Sequence, residues 1–269
     1  MILDSITWTA SPELFNAGSI TVRWYGLMFA IGFLVGYDIV NRIFRHEGAK
    51  ESWVGSLFIY VVVATIVGAR LGHVFFYDWG YYSQHLGDIP KVWEGGLASH
   101  GGTLGLMIAI WLYARKVKLP LMHVLDNVAI VTPICACAIR LGNLMNSEII
   151  GRPTDVPWAF IFERVDMLPR HPGQLYEALC YAAFFIIHWV IYRKKPQLVS
   201  TGFFFGLCLF LIFTSRIFIE YTKENQEAFE EGMLLNMGQL LSIPFILLGS
   251  YCMVRALSSS GTTNHSSKD

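Results

Sequence analysis

Polar residues and glycines crowd into residues 140–151, which read Arg-Leu-Gly-Asn-Leu-Met-Asn-Ser-Glu-Ile-Ile-Gly directly after a long apolar run. Arg140, Asn143 and Asn146 are spaced by three residues, so on a helix they can face one side. A guanidinium flanked by two amides can bind a phosphodiester through several hydrogen bonds at once. Glu148 could instead neutralise Arg140 in a local network, and both interpretations stand at this point.

A second polar group is the Ser-His-Gly-Gly-Thr-Leu-Gly sequence of residues 99–105. Its glycines, Gly101 and Gly102 among them, would let a lipid headgroup or a backbone approach closely. A helix that begins here would direct free N–H groups at an anion, and His100 could act as a base or a hydrogen-bond donor near neutral pH. The alternative is a glycine motif for helix packing beside an interfacial histidine.

Two further groups place carboxylates near the ends of apolar runs. Gln174 and Glu177 share one helical face in the sequence His-Pro-Gly-Gln-Leu-Tyr-Glu, and Arg216, Glu220 and Lys223 share another through spacings of four and three. A glutamate in the first turns of a helix also complements the helix dipole, and an Arg–Glu pair can simply neutralise itself. Both groups are therefore candidates for a binding site or for structural ion pairs.

The composition places these groups in a membrane protein. Of 269 residues, 54% are hydrophobic and only 15% are charged, whereas about a quarter is charged in soluble domains. Seven apolar stretches are about long enough to cross a bilayer of ~30 Å, at roughly 20 residues each. They are residues 24–44, 53–75, 97–113, 121–141, 173–192, 202–221 and 237–253.

We therefore predict an all-α, polytopic membrane protein with seven transmembrane helices. Residues 1–257 form a single integral membrane domain, and the loop of residues 142–172, with its four prolines, forms a small extracytoplasmic head. Residues 258–269 are rich in Ser and Thr and are predicted to be a disordered cytoplasmic tail.

The distribution of charges along the chain predicts its orientation. Basic residues concentrate in the segments that join spans one and two, three and four, and five and six, and after span seven, so these segments are cytoplasmic. The segments on the other side are mostly acidic and include Glu224, Glu227, Glu230 and Glu231. The N-terminus is thus outside and the C-terminus inside. All four polar groups then fall on the outer half, which favours a site for an anionic amphiphile.

Several classes of protein and cofactor are disfavoured. Equal numbers of acidic and basic residues, 20 of each, argue against nucleic acid, which needs a surface rich in Lys and Arg. The five cysteines lie in apolar runs without metal-ligand spacing or a disulfide framework. We expect no metal and no cofactor. The N-terminus has no basic region of the kind that begins a cleaved signal peptide.

Six strings, in order, resemble the bacterial prolipoprotein diacylglyceryl transferase family over nearly the whole chain. They are Trp24-Tyr25-Gly26, His100-Gly101-Gly102, Arg140-Leu-Gly-Asn143-x-x-Asn146-x-Glu148-x-x-Gly151, His171-Pro-x-Gln-Leu-Tyr-Glu177, Arg216-x-x-x-Glu220 and Met237-Gly238-Gln239-x-x-Ser242-x-Pro244. One departure follows Glu220, where the family's commonest pattern has a second Arg and then Pro-Asp. Here the chain reads Lys223-Glu-Asn-Gln, which keeps the charge but loses the bidentate fork.

The resemblance implies a seven-span enzyme of the bacterial inner membrane, with a periplasmic N-terminus and a cytoplasmic C-terminus. Such an enzyme transfers the diacylglyceryl group of phosphatidylglycerol to the lipobox cysteine of a prolipoprotein signal peptide. A thioether forms and glycerol phosphate is released, in the first step of lipoprotein maturation. A membrane transporter of a lipid or an anionic solute is the alternative, because it too would place Arg and Glu in a cavity.

The reaction implied by the resemblance suggests roles for particular residues. A thiol of pKa about 8.5 must lose its proton to become a nucleophile. His100 is the first candidate base, and Glu220 and Glu148 are the others. Arg140 and Arg216 would stabilise the charge that develops on the leaving phosphate.

The predicted site follows from these assignments. The predicted catalytic residues are His100, Arg140, Arg216 and Glu220. The predicted phosphatidylglycerol-binding residues are Arg140, Asn143, Asn146, Glu148, Gly151, Tyr25, Gly101, Gly102, Glu177 and Lys223.

Overall fold

The computed structural model describes residues 5–18, 20–92, 95–223 and 235–263. The chain divides into two compact units, Met1–Ile39 together with Asp126–Asp269, and Val40–Leu125. The acidic segment that holds Glu224, Glu227, Glu230 and Glu231 lies outside the described residues, as do residues 264–269 of the predicted tail.

Helices dominate the described chain. They are α1 (Trp24–His46), α2 (Glu51–Phe76), α3 (Trp79–Tyr82), α4 (Ser99–Val117), α5 (Leu121–Asn146), α6 (Gly173–Lys194), α7 (Phe203–Glu220) and α8 (Met237–Thr263). Short strands accompany them: β1 (Ile6–Trp8), β2 (Glu13–Ala17), β3 (Ile20–Arg23), β4 (Phe160–Phe162) and β5 (Pro169–Arg170).

Six helices among the described residues are long and apolar enough to span a membrane, so the chain is a polytopic membrane protein. The six are Trp24–His46, Ser52–Phe76, Leu121–Asn146, Gly173–Lys194, Phe203–Glu220 and Met237–Ser258. The predicted span of residues 97–113 corresponds to α4, which is helical but is not among these six. The prediction of a disordered tail from residue 258 began too early, because α8 continues to Thr263.

The smaller unit is built on the close approach of α2 and α4. A Cβ atom added to Gly101 would collide with the backbone oxygen of Gly68 and would lie 2.8 Å from the Cα of Gly72. Gly105 meets α2 in the same way at the backbone of Ala64. Glycines are needed at these positions because the two backbones are in direct contact.

Arg70 ties the loop before α4 to α2 within the smaller unit. The side chain is buried, with 3% exposed. Its guanidinium donates to the backbone oxygens of Asp88, Ile89 and Gly95 at 2.6–2.7 Å, and it stacks on the Tyr82 ring. Because the guanidinium binds backbone oxygens of the segment before α4, Arg70 fixes that segment against α2.

The larger unit contains a small sheet beside the helices. Strand β4 pairs in parallel with β1 and antiparallel with β5, and β2 and β3 form a separate antiparallel pair. The rings of Phe160 and Phe162 pack with Leu144 near the end of α5, against Trp8 and Leu175. The N-terminal strand and the 142–172 loop therefore share one apolar cluster, which positions the segment that follows α5.

Candidate active site

The last turns of α5 carry the first part of the site. Nη1 of Arg140 donates to Oδ1 of Asn143 at 3.2 Å, and Nδ2 of Asn143 donates to Oε2 of Glu148 at 3.0 Å. Nδ2 of Asn146 donates to the other oxygen of Glu148, also at 3.0 Å. The three-residue spacing therefore brings these groups together as predicted, and Glu148 is linked to Arg140 through an amide.

The backbone that directly follows α5 turns sharply. Ser147 and Ile149 have φ of 55° and 58°, in the left-handed region that non-glycine residues rarely adopt. The N–H of Glu148, between them, donates to the backbone oxygen of Asn143 at 3.0 Å. Gln174, fully buried in the first turn of α6, donates to the backbone oxygen of Glu148 at 2.6 Å.

Glu177 joins α5 to the segment that follows α7. Its carboxylate is 1% exposed; Oε2 lies 2.8 Å from Nε of Arg140, and Oε1 lies 3.0 Å from Nζ of Lys223. Lys223 also contacts Oε2 of Glu220, at 3.5 Å. Tyr181, one turn after Glu177 on α6, is buried close to Arg140. Burial of these charges is tolerated because each has an opposite partner.

Arg216 is the most exposed of the three cations. Its side chain is 42% exposed, against 23% for Arg140 and 7% for Lys223. Its Nε is 3.8 Å from Oε2 of Glu220, beyond hydrogen-bonding distance. Arg216 can therefore turn to an anion at little cost, whereas Lys223 is enclosed by carboxylates.

Glu220 is held against the start of α8. A Cβ atom on Gly238 would lie 2.9 Å from Cδ of Glu220, so only glycine lets the carboxylate sit there. The start of α8 is fixed by reciprocal hydrogen bonds between Asn236 and Gln239, in which each backbone N–H donates to the other side chain. Nε2 of Gln239 also donates to the backbone oxygen of Ile217 on α7, at 3.0 Å.

Gly151 and Tyr25 lie in the same unit as this network. The N–H of Gly151 donates to the backbone oxygen of His171 at 2.8 Å, and a Cβ atom there would collide with His171 and with the backbone oxygen of Thr222. Tyr25 packs on Gly142, whose added Cβ would lie 3.1 Å from the tyrosine ring. Glycine is therefore needed at Gly151 and at Gly142, because neighbouring atoms approach the backbone closely at both positions.

Charged groups of the 142–172 segment support Gly151 from the other side. Arg170 donates to both oxygens of Asp166 and to the backbone oxygen of Gly151. The hydrogen bond from Arg170 lowers the pKa of Asp166. The pKa of His171 is lowered as well, chiefly by burial and secondly by the charge of Arg152.

His100, Gly101 and Gly102 belong to the other unit, Val40–Leu125. His100 is exposed in the first turn of α4. Gly101 is packed on α2, so the helix-packing interpretation of this motif applies to it. The assignment of His100 as a base stays a prediction.

The predicted site did not include Gln174, Tyr181, Gln239 or Arg70, although all four side chains are buried beside polar groups. The three-residue spacing of Gln174 and Glu177 was the available signal for Gln174. Tyr181 follows Glu177 by four residues and offered the same signal. Among the residues that the structure describes, no three His, Cys, Asp or Glu side chains are grouped to hold a metal ion.

The helices and this network define a polytopic membrane protein whose larger unit presents two partly exposed arginines, Arg140 and Arg216, beside buried ion pairs. Such a site suits an anionic group.

Comparison with known proteins identifies the family. A family model described as prolipoprotein diacylglyceryl transferase matches residues 12–255. The phosphatidylglycerol–prolipoprotein diacylglyceryl transferase of Bacteroides fragilis is 52% identical over 264 residues, with 94% of this chain and 95% of the relative covered. That of Tolumonas auensis is 48% identical, with coverage of 92% and 96%, and that of Vibrio cholerae is 39% identical, with 90% of each covered. The chain belongs to the prolipoprotein diacylglyceryl transferase family, which confirms the resemblance seen in the sequence.

Proposed function

We propose that this protein transfers the diacylglyceryl group of phosphatidylglycerol to the lipobox cysteine of a prolipoprotein. A bond forms between the cysteine sulfur and the glycerol carbon, and the bond between that carbon and the phosphate oxygen breaks. The thiol gives its proton to a base, and the electron pair leaves with glycerol phosphate. Membership of the family across residues 12–255 is the observation that carries this proposal.

Arg216 and Arg140 would bind the phosphate as its bond to glycerol breaks. The nitrogens of Arg140 that face Glu177 and Asn143 are engaged, which fixes the plane of the guanidinium. Its remaining N–H groups and the exposed end of Arg216 are then directed at the ligand. Charge that is fixed in advance stabilises the transition state more than the ground state, where the phosphate charge is smaller.

Among the candidate bases we favour His100. Both oxygens of Glu148 accept hydrogen bonds from asparagine amides, and Glu220 is in contact with Lys223. These two carboxylates have existing partners, whereas His100 is exposed at the start of α4. Asn143, Asn146 and Glu148 would orient Arg140, and Glu177 and Lys223 would complete the phosphatidylglycerol site with Gly151, Tyr25, Gly101 and Gly102.

We further propose the arrangement in the bacterial inner membrane. Helix α4 would serve as a seventh span in a single membrane domain of residues 1–257, with the 142–172 segment as an extracytoplasmic head. The N-terminus would be periplasmic and the C-terminus cytoplasmic. The basic residues Arg115 and Lys116 in the last turn of α4, and Arg193 and Lys194 in that of α6, support this orientation.

The direct test uses the purified chain in detergent with phosphatidylglycerol and a peptide that contains a lipobox cysteine. Mass spectrometry should show one diacylglyceryl group added to the cysteine. Arg140→Ala should lower the rate at least ~100-fold, as loss of one preorganised transition-state donor does. His100→Ala tests the base, because surviving activity would exclude the histidine from that role.

The matched control is Arg193→Ala, which removes an exposed arginine from the opposite end of α6. It should keep the wild-type rate. A folded wild-type protein that binds phosphatidylglycerol yet forms no adduct would contradict the proposal and favour transport of a lipid or an anionic solute.

A further inference from the structure

The turn that follows α5 is conformationally unfavourable for its sequence. Ser147 and Ile149 are both in the left-handed region, on either side of Glu148. The branched Cβ of isoleucine is especially unsuited to this region. Residues in such conformations persist only where their surroundings hold them, and they concentrate at functional sites.

Gln174 holds this turn from α6. Its side chain is fully buried, and Nε2 donates to the backbone oxygen of Glu148 at 2.6 Å. Its Oε1 has no hydrogen-bond partner among the described residues. Within those residues, the amide is therefore held by the bond that Nε2 donates to Glu148. The amide of Gln174 is inaccessible to solvent, so water does not reach the donor side of this bond.

The orientation of Arg140 depends on the same turn. The side chain of Glu148 fixes Asn143 through Nδ2, and Oδ1 of Asn143 accepts from Arg140. A shift of Glu148 would therefore release Asn143, and then one edge of the guanidinium. The contacts run without a gap from Gln174 to the group proposed to bind phosphate.

We infer that Gln174 is a positioning residue for the transferase reaction, which holds the strained Ser147–Glu148–Ile149 turn and thereby sets the direction of Arg140. This inference rests on the proposed function. Gln174 itself does not touch the substrate. Loss of Gln174 should therefore lower kcat more than it weakens the affinity for the substrate.

The first variant is Gln174→Met, which keeps the volume and removes the donor. We expect kcat to fall by between ~10- and ~100-fold, the upper value being that of a 1 Å misplacement, with a smaller change in KM for phosphatidylglycerol. Gln174→Asn, which stays polar but is one methylene too short, should behave in the same way. It serves as the second variant if methionine prevents folding.

Rescue by glycine separates positioning from simple packing. Glycine adopts the left-handed conformation without a Cβ penalty, so Ile149→Gly should restore much of kcat to Gln174→Met. The matched control is Ser200→Gly, because Ser200 is also left-handed, at φ 77°, but lies between α6 and α7. It should relieve strain of the same kind and restore no activity.

Hydrogen exchange of the amides of residues 147–151 gives a readout that does not require turnover. The inference predicts faster exchange in Gln174→Met than in the wild type. Unchanged kcat and unchanged exchange in both Gln174 variants would overturn it, as would equal losses of kcat with and without Ile149→Gly. Absence of product from the wild-type protein would contradict the proposed function instead, while exchange would still test the hold on the turn.

Discussion

At the scale of single residues, the two carboxylate oxygens of Glu177 contact two different cations. Arg140 approaches Oε2 from α5, and Lys223 approaches Oε1 from the segment after α7. Because the carboxylate is almost wholly buried, neither contact is exposed to competing water. Arg140 is thereby immobilised on one edge, and its Nη1 is held in addition by Asn143.

Lys223 is predicted to be required for stability because of its charge. Lys223→Met would leave Glu177 and Glu220 with one cation fewer in a buried site. Loss of one partner of a buried ion pair costs about 3–5 kcal/mol, and the lower end is expected because Glu177 keeps Arg140. The midpoint of denaturation in detergent measures this loss.

Lys223→Arg is the matched control, since it keeps the charge. It should unfold close to the wild type. A Met variant as stable as the Arg variant would show that Lys223 is not the counter-ion of these carboxylates.

At the scale of elements, glycines set the separation between helices. Gly101 lets α4 pack directly on α2, and Gly238 lets the start of α8 pack on Glu220. Gly142 likewise packs against the ring of Tyr25. In each case the neighbour of the missing Cβ is backbone or a side chain of the candidate site. Small residues therefore determine how closely the helices that carry the polar groups can pack.

Gly101→Ala and Gly102→Ala form a neighbouring pair that tests this packing. A Cβ on Gly101 meets the backbone of α2, whereas on Gly102 its nearest neighbours are 3.4 Å away. Gly101→Ala should destabilise by about 1–3 kcal/mol, as overpacking does, and Gly102→Ala should change little. Thermal unfolding of the two variants checks this difference, and equal midpoints would contradict it.

At the scale of the whole molecule, the apolar runs predicted the helices well because a bilayer imposes length and composition on each span. The three-residue spacing likewise predicted that Arg140, Asn143 and Asn146 could face one side, and hydrogen bonds link them through Glu148. The sequence could not show that Glu177 meets Lys223, which is 46 residues away. Nor could it show the left-handed turn at Ser147 and Ile149, because neither residue type favours that conformation.

Acid should weaken the fold of the 142–172 segment. The pKa of His171 is lowered by burial and by Arg152, so below its ordinary value of about 6.5 the unfolded chain takes up a proton first and stability falls. The pKa of Asp166 is lowered by Arg170. Its contribution is present above the ordinary value of about 3.9 and is lost as the pH falls through the lower folded value.

Unfolding temperatures measured from pH 8 to pH 3 should therefore decline in two steps. His171→Gln should flatten the step below about pH 6.5, and Asp166→Asn the step below about pH 4, following the two ordinary pKa values. A wild-type midpoint that rises on acidification would show that both assignments have the wrong sign.

The direction of protein synthesis gives the shared carboxylate another consequence. When α6 is made, Arg140 at the end of α5 already exists and Lys223 does not. A lone carboxylate entering lipid costs free energy, so α6 is favoured to insert beside α5 and not by itself. Lys223, made later, then pairs with Oε1 of Glu177, the oxygen that Arg140 does not contact. The contacts of Glu177 would thus favour docking of α6 on α5 before the segment after α7 is made.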